Sequence, residues 1–216
     1  MNLKREVAKR LTPYMKAKDF LLSKGTYCYV RNDIAYCISF DTPSGIMYVT
    51  AYIIPLYIPC EGRYYTYGKR VQPHGVPPLS KDSNATEVDT WCNALCQYFE
   101  DNLFPFFEKI CSPVKVAQYI KRSRLTGIKE FSCPPIHIDR LKLFTYLYLN
   151  DLTEVANVII SYRESLRETG FLTDSTKKIL LDEIEMVEKV VQHGNHEALN
   201  FCTQIIGNTK KHLIGF

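Results

Sequence analysis

Tyr27-Cys28-Tyr29-Val30-Arg31-Asn32-Asp33-Ile34-Ala35-Tyr36-Cys37-Ile38-Ser39-Phe40 is the stretch that decides the fold. Two runs rich in aromatic and β-branched residues flank Asn32-Asp33, a two-residue hairpin signal. A turn there sets the register. Arg31 faces Ile34, Tyr29 faces Tyr36, and Cys28 faces Cys37 in a non-hydrogen-bonded pair. One face then carries Tyr27, Tyr29, Ile34, Tyr36, Ile38 and Phe40. The other carries the smaller Cys28, Val30, Ala35, Cys37 and Ser39, so the large face is expected to pack on a helix.

Upstream, Leu3 to Ser23 reads as a helix with Val7, Leu11, Tyr14, Met15 and Leu22 on its apolar stripe. Pro13 is expected to kink or divide it, and Gly25 to end it. Downstream, Pro43-Ser44-Gly45 turns the chain into a third strand, Ile46 to Tyr57, apolar on both faces as a central strand requires. Arg63 to Val71 reads as a fourth, exposed strand, and Gln72 to Ala85 as a long loop.

From Thr86 the pattern is helical. Thr86 and Asp89 suggest a capping box, and Val88, Trp91, Cys92, Leu95, Cys96, Phe99 and Leu103 form one apolar face. Pro105 interrupts it. Ser112-Pro113 starts a new helix, and Gly127 to Pro135 reads as a linker. Ile138 to Leu149 and Leu152 to Thr169, joined at Asn150-Asp151, form an antiparallel helical hairpin. Helices opening at Thr173 or Asp174 and spanning Glu197 to Ile206 close the chain. The expected fold is α+β: an antiparallel sheet of three to four strands packed by helices, then a helical C-terminal region. The division is an α+β domain over 1–126 and a helical region over 136–216, which is able to dock on the first.

The chain has 216 residues, net charge +4, 23% charged and 46% hydrophobic residues. That excludes disorder over most of its length and allows a core without metal or disulfide staples. The N-terminus is basic and lacks the apolar block of a signal peptide, and Ile46 to Ile58 is too short to span a bilayer. The expectation is a cytoplasmic protein with reduced thiols and no membrane partner. Charge is unevenly placed: residues 1–24 carry a net +5 and residues 151–190 a net −4.

Phe20-Leu21-Leu22-Ser23-Lys24-Gly25, Tyr29-Val30-Arg31-Asn32-Asp33 and Cys37-Ile38-Ser39-Phe40 follow one another as in a bacterial domain-of-unknown-function family, catalogue number forty-three-zero-four. The Trp91 helix, Phe104-Pro105-Phe106-Phe107 and the helix after Ser112-Pro113 also resemble that family. The likeness covers residues 1–125 and departs at Gly25-Thr26-Tyr27, where the family has Gly-Phe. It implies an α+β domain and carries over no catalytic residue. Leu147 to Ala156 is similar to the hairpin of a degenerate helical repeat. Families of this size and layout include immunity proteins that block bacterial toxins, an analogy from fold alone.

Eight cysteines contain no C-x-x-C pair, and no cofactor, metal or catalytic set is signalled. Cys28 and Cys37 read either as a redox pair or as two small residues packed side by side. Cys92 and Cys96 fall on an apolar stripe, so core packing is favoured over metal binding. His193 and His196 are separated by Gly194, which spoils helical ligation. His137 and Asp139 could act as a base and its orienter, but no nucleophile motif accompanies them, and Asp139 at a helix start is the simpler reading. Neither nucleotide-binding glycine motif occurs.

Arg63, Tyr64, Tyr65, Tyr67, Lys69 and Arg70 interleave bases with aromatics. Three readings stand: a protein-interaction surface, a single-stranded nucleic-acid site, or an edge strand guarded by charge. Lys115, Lys121, Arg122 and Arg124 make a second basic patch. The leading expectation is a non-enzymatic interaction module, of immunity or adaptor type, with a protein partner. A nucleic-acid-associated protein is second and an enzyme third, the last requiring a pocket around His137 or His74.

Overall fold

The computed structural model describes residues 2–60, 66–122 and 135–214. Helix α1 (Leu3–Ala17) buries Leu3, Val7, Leu11 and Met15, one residue per turn. Pro13 lies inside it without dividing it. The carbonyl that proline leaves without its helical partner belongs to Lys9, which is exposed to solvent.

The helix stops earlier than its apolar stripe suggests. Asp19 takes φ 63°, and Leu21–Ser23 forms a short strand, β1. Lys24 (φ 48°) and Gly25 (φ 78°) turn it onto β2 (Thr26–Arg31). Leu22 is therefore 46% exposed on an edge strand instead of lying on the helix stripe. Gly25 is a turn residue, needed for its positive φ.

The second hairpin follows the expected register. Asn32 (φ 50°) and Asp33 (φ 57°) make the turn, and β3 (Ile34–Asp41) pairs with β2 so that Cys28 faces Cys37 and Tyr29 faces Tyr36. Then come β4 (Tyr48–Pro55) and β5 (Tyr67–Val71), giving a five-stranded antiparallel meander in the order β1-β2-β3-β4-β5. The extra strand beyond the expected three or four is β1. The Gln72–Ala85 loop is tied down: Met47 N–H donates to the Leu79 carbonyl at 2.9 Å and Lys81 N–H to the Gly45 carbonyl at 2.9 Å.

Helix α2 (Ala85–Tyr98) is capped by Asn84, two residues before the expected Thr86. Asn84 accepts from Glu87 N–H at 3.0 Å, and its own N–H donates to the Glu87 carboxylate at 2.7 Å. A π-turn over Phe99–Leu103 carries the chain into α3 (Phe104–Lys109), accommodating Pro105. Helix α4 is Pro113–Arg122. The linker after it lies almost entirely outside the described residues.

The C-terminal region is α5 (Pro135–Tyr148), α6 (Leu152–Glu168), α7 (Asp174–Gln192) and α8 (Asn195–Ile214). Helix α8 runs eight residues past its expected end, straight through Gly207. Thr209 and Leu213 are buried, and the Thr209 hydroxyl donates to the Ile58 carbonyl at 3.2 Å. Tertiary packing thus outweighs the ~1 kcal/mol helix cost of one glycine.

The large face of the sheet packs on α1, α2 and α3. The helical region docks on the first: the Tyr57 phenol meets the Thr145 hydroxyl at 3.2 Å, and Leu213 joins Cys28, Cys37, Tyr52 and Ile54 in a second apolar cluster on the small face. One continuous core runs from Leu3 to Ile205 across the expected division.

Candidate functional site

Arg63, Tyr64 and Tyr65, the first half of the expected contact strand, lie outside the described residues. The second half is corrected at Tyr67, which is 4% exposed. Strand alternation places Tyr67 and Val71 on the large face opposite Ile53 and Val49, so its ring belongs to the core. Gly68 is pressed against Tyr52, where a Cβ would come within 2.3 Å of the Ala51 carbonyl oxygen. Lys69 is half-buried, and exposed Arg70 stacks on Tyr48 with 4.3 Å from guanidinium to ring centre. These charges guard a sheet edge.

Other expected constellations resolve into packing. The Cys28 and Cys37 sulfurs are 3.5 Å apart, buried and not joined in a disulfide. Burial pushes the Cys92 thiol up to about 12 and the Cys96 thiol up to about 11, so both stay protonated at neutral pH. His193 Nδ1 bonds the Lys189 carbonyl and His196 Nδ1 bonds Asn200. Asp139 is buried and accepts from Ser165 at 2.9 Å and from Lys142 at 3.4 Å. His137 Nδ1 is buried with no hydrogen-bond partner among the described residues. The expected base and orienter are therefore not joined. His74 is exposed and lies against Tyr98. In the second basic patch Lys121 pairs with Glu154, and Lys115 donates to the Glu108 carbonyl.

The concavity with the most organised chemistry lies between the β2–β3 hairpin and α3. Five rings close a circuit there. Phe20 lies 5.6 Å from Tyr29, Tyr29 6.0 Å from Tyr36, and Tyr36 4.8 Å from Phe107. Phe107 is 6.5 Å from Phe104, and Phe104 5.9 Å from Phe20. The cavity beside them holds about 320 Å³. Phe20, Tyr36 and Phe107 form a buried floor, while Tyr29 and Phe104 are half-exposed walls.

Each part has a local cause. Strand alternation puts Tyr29, Arg31 and Tyr36 on one face. The turn at Asp19 swings Phe20 beneath them. The π-turn before Pro105 sets Phe104 and Phe107 opposite.

The rim is charged. Lys18 pairs with Glu100 at 2.7 Å and Arg31 with Glu108 at 2.9 Å, while Asp19 has no ion pair among the described residues. The hydrogen bond from Lys18, helped by one from Tyr14, holds the Glu100 carboxyl below its usual range. Cys111 lies at the end of the lining, buried, and the Lys115 ammonium donates to its sulfur at 3.2 Å.

Sequence reasoning places Tyr29 and Tyr36 on the packing face and takes Phe104 only as part of the family likeness, and so misses the groove. No spacing motif links Phe20, Tyr29 and Phe104; the turn at Asp19 brings the Phe20 ring against the other two.

Among the described residues no three His, Cys, Asp or Glu side chains converge as metal ligands, and no helix is long and apolar enough to cross a membrane. No protein family, curated protein or solved structure matches this chain.

Proposed function

We propose that this is a cytoplasmic, bacterial, non-enzymatic interaction module of adaptor or immunity type, and that it captures a protein partner by seating one of its side chains in the groove over Tyr29 and Phe104. The observation that carries the reading is the closed circuit of five rings beside a 320 Å³ cavity, walled by two half-exposed aromatics. Aromatic anchors set in a concave, charge-rimmed surface are what interface hot spots are made of. The nucleic-acid reading has less support, because Arg10, Lys18, Arg31, Lys121 and Lys210 are engaged by carboxylates of the same chain.

The test is selection of peptides from a random displayed library, with affinities then measured by calorimetry. Selected peptides are expected to lose at least roughly tenfold in affinity against Tyr29→Thr, which keeps a β-former in the strand. They are expected to bind Arg70→Ala as they bind the parent. Thermal melting checks that both variants fold. Failure to select any peptide, or full affinity for Tyr29→Thr, overturns the proposal.

A further inference from the structure

The groove pairs aromatic faces with one carboxylate, Asp19, that has no ion pair among the described residues. Its lining holds three carboxylates, Asp19, Glu100 and Glu108, and two cations, Lys18 and Arg31, while the Lys115 ammonium reaches the lining from behind Glu108 and Cys111, bound to the Glu108 carbonyl and the Cys111 sulfur. Each cation is held by its own carboxylate, which leaves Asp19. Asp19 is exposed and fixed at φ 63° by the reversal between α1 and β1. The chain already places a cation on this aromatic cluster, since the Lys18 ammonium lies 5.5 Å from the centre of the Phe104 ring and 6.0 Å from that of Tyr14.

Resting on the reading of this groove as a docking site, we infer that the group it takes is an arginine side chain of the partner protein. A guanidinium is flat and weakly hydrated, stacks on aromatic faces, and forks onto a carboxylate. Its three-carbon stem lies well along an apolar wall. A purely apolar anchor would cover Asp19 and leave a carboxylate desolvated without a partner, which is costly. A lysine ammonium satisfies the charge but is a compact, strongly hydrated point that gains less from the ring faces. A cavity of about 320 Å³ admits one side chain, not an element of secondary structure.

Titrate the folded protein with the blocked amino acids N-acetyl-arginine, -citrulline, -lysine and -phenylalanine N-methylamides. Follow the aromatic ring resonances of Tyr29 and Phe104 by NMR. The arginine probe is expected to shift both rings and to bind roughly tenfold more tightly than citrulline, its neutral isostere. High salt and Asp19→Asn are each expected to weaken it several-fold. Asparagine tolerates the positive φ, so that variant keeps the turn.

Equal binding of arginine and citrulline, equal binding of arginine and lysine, or tighter binding of phenylalanine overturns the assignment to arginine and leaves the groove a docking site. If no probe moves either ring, the inference falls. The displayed-peptide selection then decides the wider reading separately.

Discussion

The Lys210 ammonium donates to the Asp33 carboxylate at 3.1 Å, joining the last helix to the hairpin turn across 177 residues of sequence. The Tyr148 phenol donates to the other oxygen of the same carboxylate at 3.1 Å. Asp33 therefore has two roles: it turns the chain, and it receives the helical region.

Replacing Asp33 with glycine separates those roles. Gly at the second turn position accepts φ 57° more readily than Asp does, so the β2–β3 hairpin persists. Both hydrogen bonds are lost. The ion pair is partly exposed, so the net cost is about 1 kcal/mol. Hydrogen exchange is expected to quicken at the ends of α5 and α8 while β2 and β3 keep their protection. Uniformly faster exchange would show that the sheet and helical region open as one unit.

Tyr67 and Arg70 are three residues apart on β5 and should respond oppositely to truncation. Tyr67→Ala empties a core position and is expected to cost roughly 3–5 kcal/mol, as removal of a large buried aromatic does. Arg70→Ala removes one surface cation–π contact and is expected to cost ~1 kcal/mol or less. Urea denaturation of the two variants checks this. Loss of partner binding by Tyr67→Ala would report lost stability, not a lost contact.

His137 sets a pH dependence. Burial, reinforced by the nearby Arg140 charge, lowers its affinity for a proton in the folded state. The unfolded chain then binds more protons, so stability rises with pH. This contribution is intact above the ordinary histidine range near 6.5 and is lost as pH falls below it. Denaturation midpoints between pH 7 and pH 5 are expected to decline more steeply for the parent than for His137→Gln. Parallel declines would assign the acid sensitivity to other groups.

How much was legible follows from the range of each signal. The Asn32-Asp33 hairpin and its register depend on neighbours in sequence, and they are read correctly. The α5–α6 hairpin, whose Asn150-Asp151 connection ends in the Asp151 cap of α6, is local in the same way. Leu22 was misplaced because an i, i+3, i+4 pattern does not reveal that Asp19 will enter the left-handed region and break the helix. The end of α8 was misplaced because Gly207 marks a stop locally, whereas burial of Thr209 and Leu213 on the sheet is long-range. Tyr67 read as a surface residue because its neighbours are charged. Alternation would have separated it from Arg70 had the strand's inner face been known. The groove itself joins residues 19, 29 and 104, a spacing that no motif encodes.

Leu213 gives the remaining prediction, because it places the end of α8 over the facing thiols. Cys28 and Cys37 share an apolar cluster with it, and their sulfurs stand 3.5 Å apart. A disulfide requires about 2.05 Å, so only a modest approach separates the pair from oxidation. Access is the stronger barrier, since the two residues are 9% and 2% exposed. Leu213→Ala opens a cavity beside them and is expected to cost ~2–5 kcal/mol. It should also speed disulfide formation by diamide, a small thiol oxidant, several-fold under conditions where both proteins remain folded. Mass spectrometry of the Cys28–Cys37 cross-link measures that rate. Equal rates in parent and variant would mean that the geometry of the strand pair, not the covering helix, keeps the thiols reduced.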